Sequence, residues 1–251
     1  MNTPETDASQ TWSYPGSRWW KFDFHTHTPA SMDTTHWQEA KGTPDEVTPE
    51  KWLLRYMQAG IDCIAVTDHN SGAWIDSLKT AYARMKEQAA QGMAPDGFRE
   101  ITLYPGVEIS VNGGFHLLAI MGGEATTSDI DSLLGKVDYS GTKGDSDGVS
   151  RKSPAEVAQA VLDAGGIPIP AHADRDKGVL AVEPGTKKCR LDSTTVKQLL
   201  EIEDLLAVEW VDTNSPFPEV VENAPPNFPW CWAVTAIPSK AMQFRDRAIP
   251  G

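Results

Sequence analysis

An α/β fold built on a parallel sheet, closed or open, is what the sequence predicts. Three observations lead there. Short apolar runs alternate with amphipathic, helix-like stretches along the chain. One of these runs, IDCIAVTDHN, is nearly all apolar, as a strand buried on both faces must be. Helix start and stop signals also fall between the runs. With 251 residues, 40% of them hydrophobic, the chain is long enough for one sizeable core.

The elements follow in order. Residues 1–18, rich in Thr, Ser, Pro and Asp, read as a flexible lead-in. WWKFDF alternates into a first strand over 19–24, and 29–49 reads as a long loop. PEKWLLRYMQAG predicts a helix with Pro49 at its start and Gly60 at its end. After the IDCIAVTDHN strand comes a helix over 74–91, then two strands, ITLYPGVEIS and FHLLAIM. GTKGDSDGVSRK reads as a mobile loop. SPAEVAQAVLDAGG carries a capping box, Ser153 with Glu156, and stops at Gly165 and Gly166. IPIPAHAD and LLAVEWVD are two further strands around a helix near 195–203.

Charge narrows the partners. The formal net charge is −13 and the pI about 4.8. Such a chain repels a polyanion, which disfavours stable nucleic-acid binding by this chain alone and favours cations. Cys63, Cys189 and Cys231 are odd in number and widely spaced, which reads as reduced and cytoplasmic. There is no apolar stretch of about 18 residues and no export signal, so no membrane span is expected.

Metal-capable side chains punctuate these strands. His25 and His27 end the first, and at a spacing of two they share one face of an extended strand. Asp68 and His69 end the second, Glu108 the third, His116 opens the fourth and His172 ends the fifth. A lone histidine is more often a satisfied core or surface imidazole; five of six at strand ends point to one shared site. In an α/β barrel such ends meet at one face. His36, beside Trp37, reads as a surface residue, and Asp33 is the better loop ligand. Imidazole and carboxylate without thiolate suit Zn, Mn or Fe. Asp174, Arg175 and Lys177 follow His172 and are positioned to recognise an anionic group, unless they are simply a solvated loop.

HTH, TDHN, GVEIS, a histidine before an apolar strand, and PAHAD, in that order, resemble the polymerase and histidinol phosphatase (PHP) phosphoesterases over roughly residues 19–212. SRWWKFDFHTHTPAS looks most like the TrlF-type PHP domains that precede an SMC- or AAA-like ATPase. The resemblance implies a distorted (β/α)7 TIM-like barrel, incomplete at its C-terminal end, and a domain over 19–229. It implies two to three divalent ions (Zn, Mn or Fe) and phosphoester hydrolysis by a metal-bound hydroxide. Carried over, it makes His25, His27, Asp33, His69, Glu108, His116 and His172 metal ligands, with Glu108 bridging. Asp68, His69 and Glu108 are the expected catalytic residues, and Arg175 and Lys177 the expected contacts of a small phosphorylated substrate.

The family's closing Gly-Ser/Asp-Asp-x-His motif has no counterpart, and the tail over 230–251 diverges. Read from the third base of each codon, Trp230, Cys231, Trp232 and Ala233 dictate Val-Leu-Gly. Val234 to Pro238 then permit Gly, Asp, Cys, His and Ser, so a frameshifted gene is one expectation. A second reading is a catalytically impaired metal-binding or regulatory fragment of a longer ATPase-linked protein. A third, an amidohydrolase, shares the HxH opening.

Overall fold

A computed structural model describes residues 19–212 and 214–222 and the backbone of 232 and 233. The lead-in expected over 1–18, Cys231 and nearly all of the tail over 230–251 lie outside the described residues. Strands β1 (Phe22–Thr26), β2 (Cys63–Val66), β3 (Thr102–Val111), β4 (Phe115–Ile120) and β5 (Ile167–Pro170) form one sheet in sequence order. β1, β2 and β3 pair in parallel, as expected. β4 corrects the expectation of a parallel sheet, because it runs antiparallel to both β3 and β5. The cause is local. Only Asn112, Gly113 and Gly114 separate the paired residues Val111 and Phe115, and a three-residue connection can only turn back on itself. Gly113 and Gly114 take the positive φ values, 102° and 80°, that this turn needs.

Helices α1 (Thr35–Glu39), α2 (Pro49–Gln58), α3 (Ile75–Ala90), α4 (Thr127–Lys136), α5 (Pro154–Asp163), α6 (Ser193–Leu200) and α7 (Glu219–Glu222) fill the connections. α1 sits in the stretch read as a long loop. α4 was not expected; its capping box is Thr126 with Asp129, the shorter acid in place of Glu. α5 starts on the Ser153 and Glu156 box as read. Among the described residues, no helix is long and apolar enough to cross a membrane. Strands β6 (Val208–Glu209) and β7 (Trp232–Ala233) form a separate parallel pair.

Outside the sheet, α2 and α3 bury Trp52, Leu53, Met57, Leu78 and Met85 against Ile64 and Val66. α4, α5 and α6 bury Leu133, Val157, Val161 and Leu199 against Val107, Ile109, Leu117 and Ala119. Each such side chain contributes about 1.5–3 kcal/mol by leaving water. The other face carries Ala65, Leu118, Ile120, Ile169 and Ala171, with Phe24 and Tyr104 packed on them. Alternate residues share a face, so His69 lies on the side of Ala65, Glu108 on that of Tyr104 and His116 on that of Leu118. The strand that runs backwards therefore carries its histidine at its start, level with the ends of its neighbours.

Two irregularities bring in the remaining imidazoles. β1 advances from Asp23 to Thr26 while β2 advances only from Ile64 to Val66, so β1 holds one extra residue there. Such a bulge re-aims side chains, and Phe24, His25 and His27 all reach the inner face. At the end of β5, His172 adopts a φ of 30°. A left-handed backbone at a non-glycine residue costs about 1–3 kcal/mol and turns the side chain off the strand's alternation. The sheet curls into half a barrel, since His25 on its first strand touches Glu209 on β6, beyond its fifth.

Candidate metal centre

Glu108 stands at the middle of the polar rim with its side chain 1% exposed. Around its Oε2 lie His25 Nε2 at 3.2 Å, His27 Nε2 at 3.4 Å and His69 Nδ1 at 3.0 Å. His116 Nδ1 at 2.7 Å and His172 Nε2 at 3.3 Å face Oε1. All five imidazoles expected at the strand ends thus meet one carboxylate. Yet Glu108 Oε2 makes no hydrogen bond of proper direction, and His69 Nδ1 and His172 Nδ1 are likewise buried without a hydrogen bond. Buried polar atoms are normally paired, and each unmet one costs about 1–3 kcal/mol. His116 and His172 hydrogen-bond Oε1, whereas the three nitrogens near Oε2 converge on shared space beside the carboxylate rather than on the oxygen itself.

That arrangement fits cations. Three donor groups have their ligand atoms within 4.8 Å of one another: His25, His27 and Glu108; His27, Asp33 and His69; His69, Glu108 and His116. His69 and Glu108 each serve two groups, and so does His27. Neutral imidazole and carboxylate are the donors such an ion requires. His172 completes the ring about Glu108 but joins none of the three groups.

Hydrogen bonds behind the ring fix its tautomers. Glu209 Oε2 lies 2.7 Å from His25 Nδ1, and a carboxylate only accepts, so Nδ1 carries the proton and Nε2 faces the centre. The same Glu209 oxygen accepts the His172 backbone N–H at 2.8 Å. Ser31 donates its hydroxyl to Asp68 Oδ1 at 2.8 Å, which leaves His27 Nδ1 as the donor in the 2.9 Å contact with Ser31 Oγ. The His69 backbone N–H donates to the same hydroxyl at 3.0 Å. Neither Glu209 nor Ser31 was read from the sequence. Glu209, flanked by apolar residues inside LLAVEWVD, resembles Glu108 in its apolar setting, which is the signal that would have found it.

Asp68 is placed differently from the other expected catalytic residues. Its Oδ1 accepts from Thr28 N at 2.6 Å and from Ser31 Oγ, and its Oδ2 accepts from Thr28 Oγ1 at 2.6 Å. It stands behind the 28–33 loop and belongs to none of the donor groups. Asp33, on the same loop, is 56% exposed with Oδ2 at 3.6 Å from His69 Nε2. Arg175 pairs with Asp212 at 3.3 Å and Asp174 at 3.8 Å. Asp174 also accepts the Val211 and Asp212 backbone N–H groups. Lys177 Nζ meets the Ser146 hydroxyl at 3.4 Å.

The electrostatics are those of a site that attracts positive charge. Burial opposes the Glu108 charge, but His25, His116 and His172 outweigh it and hold the carboxyl well below its usual range. Burial would lower His25 too; Glu108 and Glu209 instead raise it well above an ordinary histidine. For His69, contacts with Asp33 and Glu108 overcome burial and lift the pKa to about 9. Burial dominates at His27, with the charges of His25 and His69 adding to it, and brings it to about 4. Without a cation, protons on His25 and His69 balance the acids, while His27 stays neutral with its lone pair available.

No protein-family model matches this sequence, and no curated protein matches it. The solved structures that are similar in chain course include these two. One is a provisionally assigned metal-dependent phosphoesterase from Bifidobacterium adolescentis, 19% identical, with a TM-score of 0.41 over 75% of this chain and 76% of that one. The other is an amidohydrolase from Chromobacterium violaceum, solved with bound sulfate and no metal. It is 16% identical, with a TM-score of 0.38 over 75% of this chain and 76% of that one.

Proposed function

We propose that the chain is a metal-dependent phosphoesterase of PHP type. The observation that carries the metal reading is Glu108, buried among five imidazoles with no hydrogen bond at Oε2. The choice of phosphoester rests on the order HTH, TDHN, GVEIS, FH and PAHAD. Two or three divalent ions of the Zn, Mn or Fe class would neutralise phosphoryl oxygens and lower the pKa of a water towards about 7.

The chain's own residues divide the remaining work. Glu108 bridges two donor groups and supplies the central negative charge. His25 and His27 present Nε2 because Glu209 and Ser31 hold their other nitrogens, and Asp33, His69 and His116 complete the donor set. His172 packs beside them against Glu108. Asp68 positions the 28–33 loop instead of touching substrate. Of the two expected substrate contacts, Lys177 is the better anion ligand. No carboxylate among the described residues pairs with it, whereas Arg175 is committed to Asp212 and Asp174. A small phosphorylated molecule suits the acidic chain better than a nucleic acid, and free Cys63 and Cys189 suit the cytoplasm. The PHP domain would span 19–229, with the curled sheet as part of a distorted (β/α)7 barrel.

One observation favours a second reading, an impaired metal-binding fragment. Among the described residues, no donor after His172 joins the three groups, and Glu209 is spent on His25 and His172. The test is turnover of p-nitrophenyl phosphate and of p-nitroacetanilide by the purified chain, with and without Mn. Phosphate release that needs Mn supports the proposal. Anilide cleavage alone would replace it with an amidohydrolase, and bound metal without either reaction would favour the impaired fragment.

A further inference from the structure

We propose that residues 141–150 are a clamp on the metal centre, and that Gly144 is the residue that lets it close on the Asp33 loop. This deepens the metal reading above and rests on it. The segment reads from sequence as a mobile loop, yet it is bound on three sides. Gly144 N–H donates to the His69 carbonyl at 2.9 Å, and the Gly144 carbonyl accepts the Met32 N–H at 2.7 Å. One residue thus joins the backbone of His69 to the backbone beside Asp33. Asn70 Nδ2 donates to the Asp145 carbonyl at 2.8 Å, and the Ser150 N–H to the Ser110 carbonyl at 2.8 Å. The loop also braces itself: the Tyr139 hydroxyl donates to the Thr142 carbonyl at 3.0 Å, and Thr142 N–H to Asp147 Oδ1 at 3.2 Å.

Nothing larger than glycine fits at the joint. Gly144 has a φ of +88°, and a Cβ there would lie 2.3 Å from the Ala30 carbonyl oxygen, which is backbone and has little freedom to move. A side chain must push the 28–33 loop outward and carry Asp33 away from His69, two donors of one group. Gly92 is the matched control: its φ is +76°, and a Cβ there meets nothing within 4 Å.

The experiment is Mn titration, followed by the electron paramagnetic resonance of free Mn, on wild type, Gly144→Ala, Asp33→Ala, the double variant and Gly92→Ala. We expect Gly144→Ala and Asp33→Ala each to weaken one ion by about 10–100-fold, as loss of support around a ligand does. The double variant should be no weaker than either single one, and Gly92→Ala should match wild type. Unchanged Mn binding by Gly144→Ala, or an additive double variant, would overturn the clamp. Should Gly144→Ala fail to fold, hydrogen exchange of metal-free wild type decides. Protected Met32 and Gly144 amides support a preformed clamp, and amides exchanging as fast as an open loop overturn it. A wild type that binds no Mn would overturn the metal reading itself, and the clamp's role with it.

Discussion

Two buried carboxylates, one just past the end of β2 and one on the neighbouring β3, are each only 1% exposed, and they have opposite surroundings. Asp68 meets three donors aimed at its lone pairs, two from Thr28 and one from Ser31. Glu108 meets five imidazole nitrogens, and one of its oxygens has no hydrogen bond. Burial raises the Asp68 pKa to about 6, with Thr28 and Ser31 holding it down only in part, whereas Glu108 lies well below its usual range. A satisfied buried acid ties down a loop; an acid ringed by imidazoles with one oxygen unmet is one that could share a cation with them. Residue type and burial alone do not separate the two.

Substitution should separate them. The largest effect is expected from Glu108→Gln, which removes the central charge. Turnover should fall by roughly 10³-fold, or about 4 kcal/mol of barrier, and bound metal should fall to one ion or none. Glu209→Gln should come next. The amide no longer fixes the His25 tautomer, and metal affinity should drop about 10–100-fold in a competition titration with little change in the metal-free melting temperature. Asp68→Asn should act the other way round. Its amide sets a donor against donors, so stability should fall by about 1–3 kcal/mol in urea unfolding while the metal count holds. The smallest effect is expected far from either acid. Ser153→Ala removes the α5 cap and should cost about 1 kcal/mol with metal binding unchanged.

Protons give a further way to sharpen the contrast. His69 titrates at about 9 and His25 well above an ordinary histidine in the metal-free chain, so an ion must displace their protons. Affinity should therefore rise with pH from neutrality towards about 9 and fall as pH drops. Calorimetry in buffers of different ionisation enthalpy should record proton release on metal binding near pH 7.5. His27, already neutral above about 4, adds nothing in that range.

Much of this centre was legible in the sequence because apolar strands ending in histidine leave few other readings. His25, His27, His69, Glu108, His116 and His172 all arrive at one place. The apolar run of β4 looks the same in either sense, and its direction is written only in the short Asn112–Gly114 turn, which the strand–helix alternation elsewhere outweighs. α4 hid behind a capping box that uses Asp129 for Glu. Glu209 reaches His25 from far along the chain, and only its place in an apolar run hints at it, while Ser31 reaches His27 from four residues on and no pattern marks it. Asp68, adjacent to His69, shares the ligand pattern in sequence but accepts hydrogen bonds from Thr28 and Ser31 and joins none of the three donor groups.

Elemental analysis of the purified chain after Mn loading, on wild type, Glu108→Gln and Asp68→Asn together, tests the metal centre most directly. We expect two or more ions per chain in wild type and in Asp68→Asn, and one or none in Glu108→Gln. Equal metal in wild type and Glu108→Gln, or none in wild type, would contradict a cation site built around Glu108.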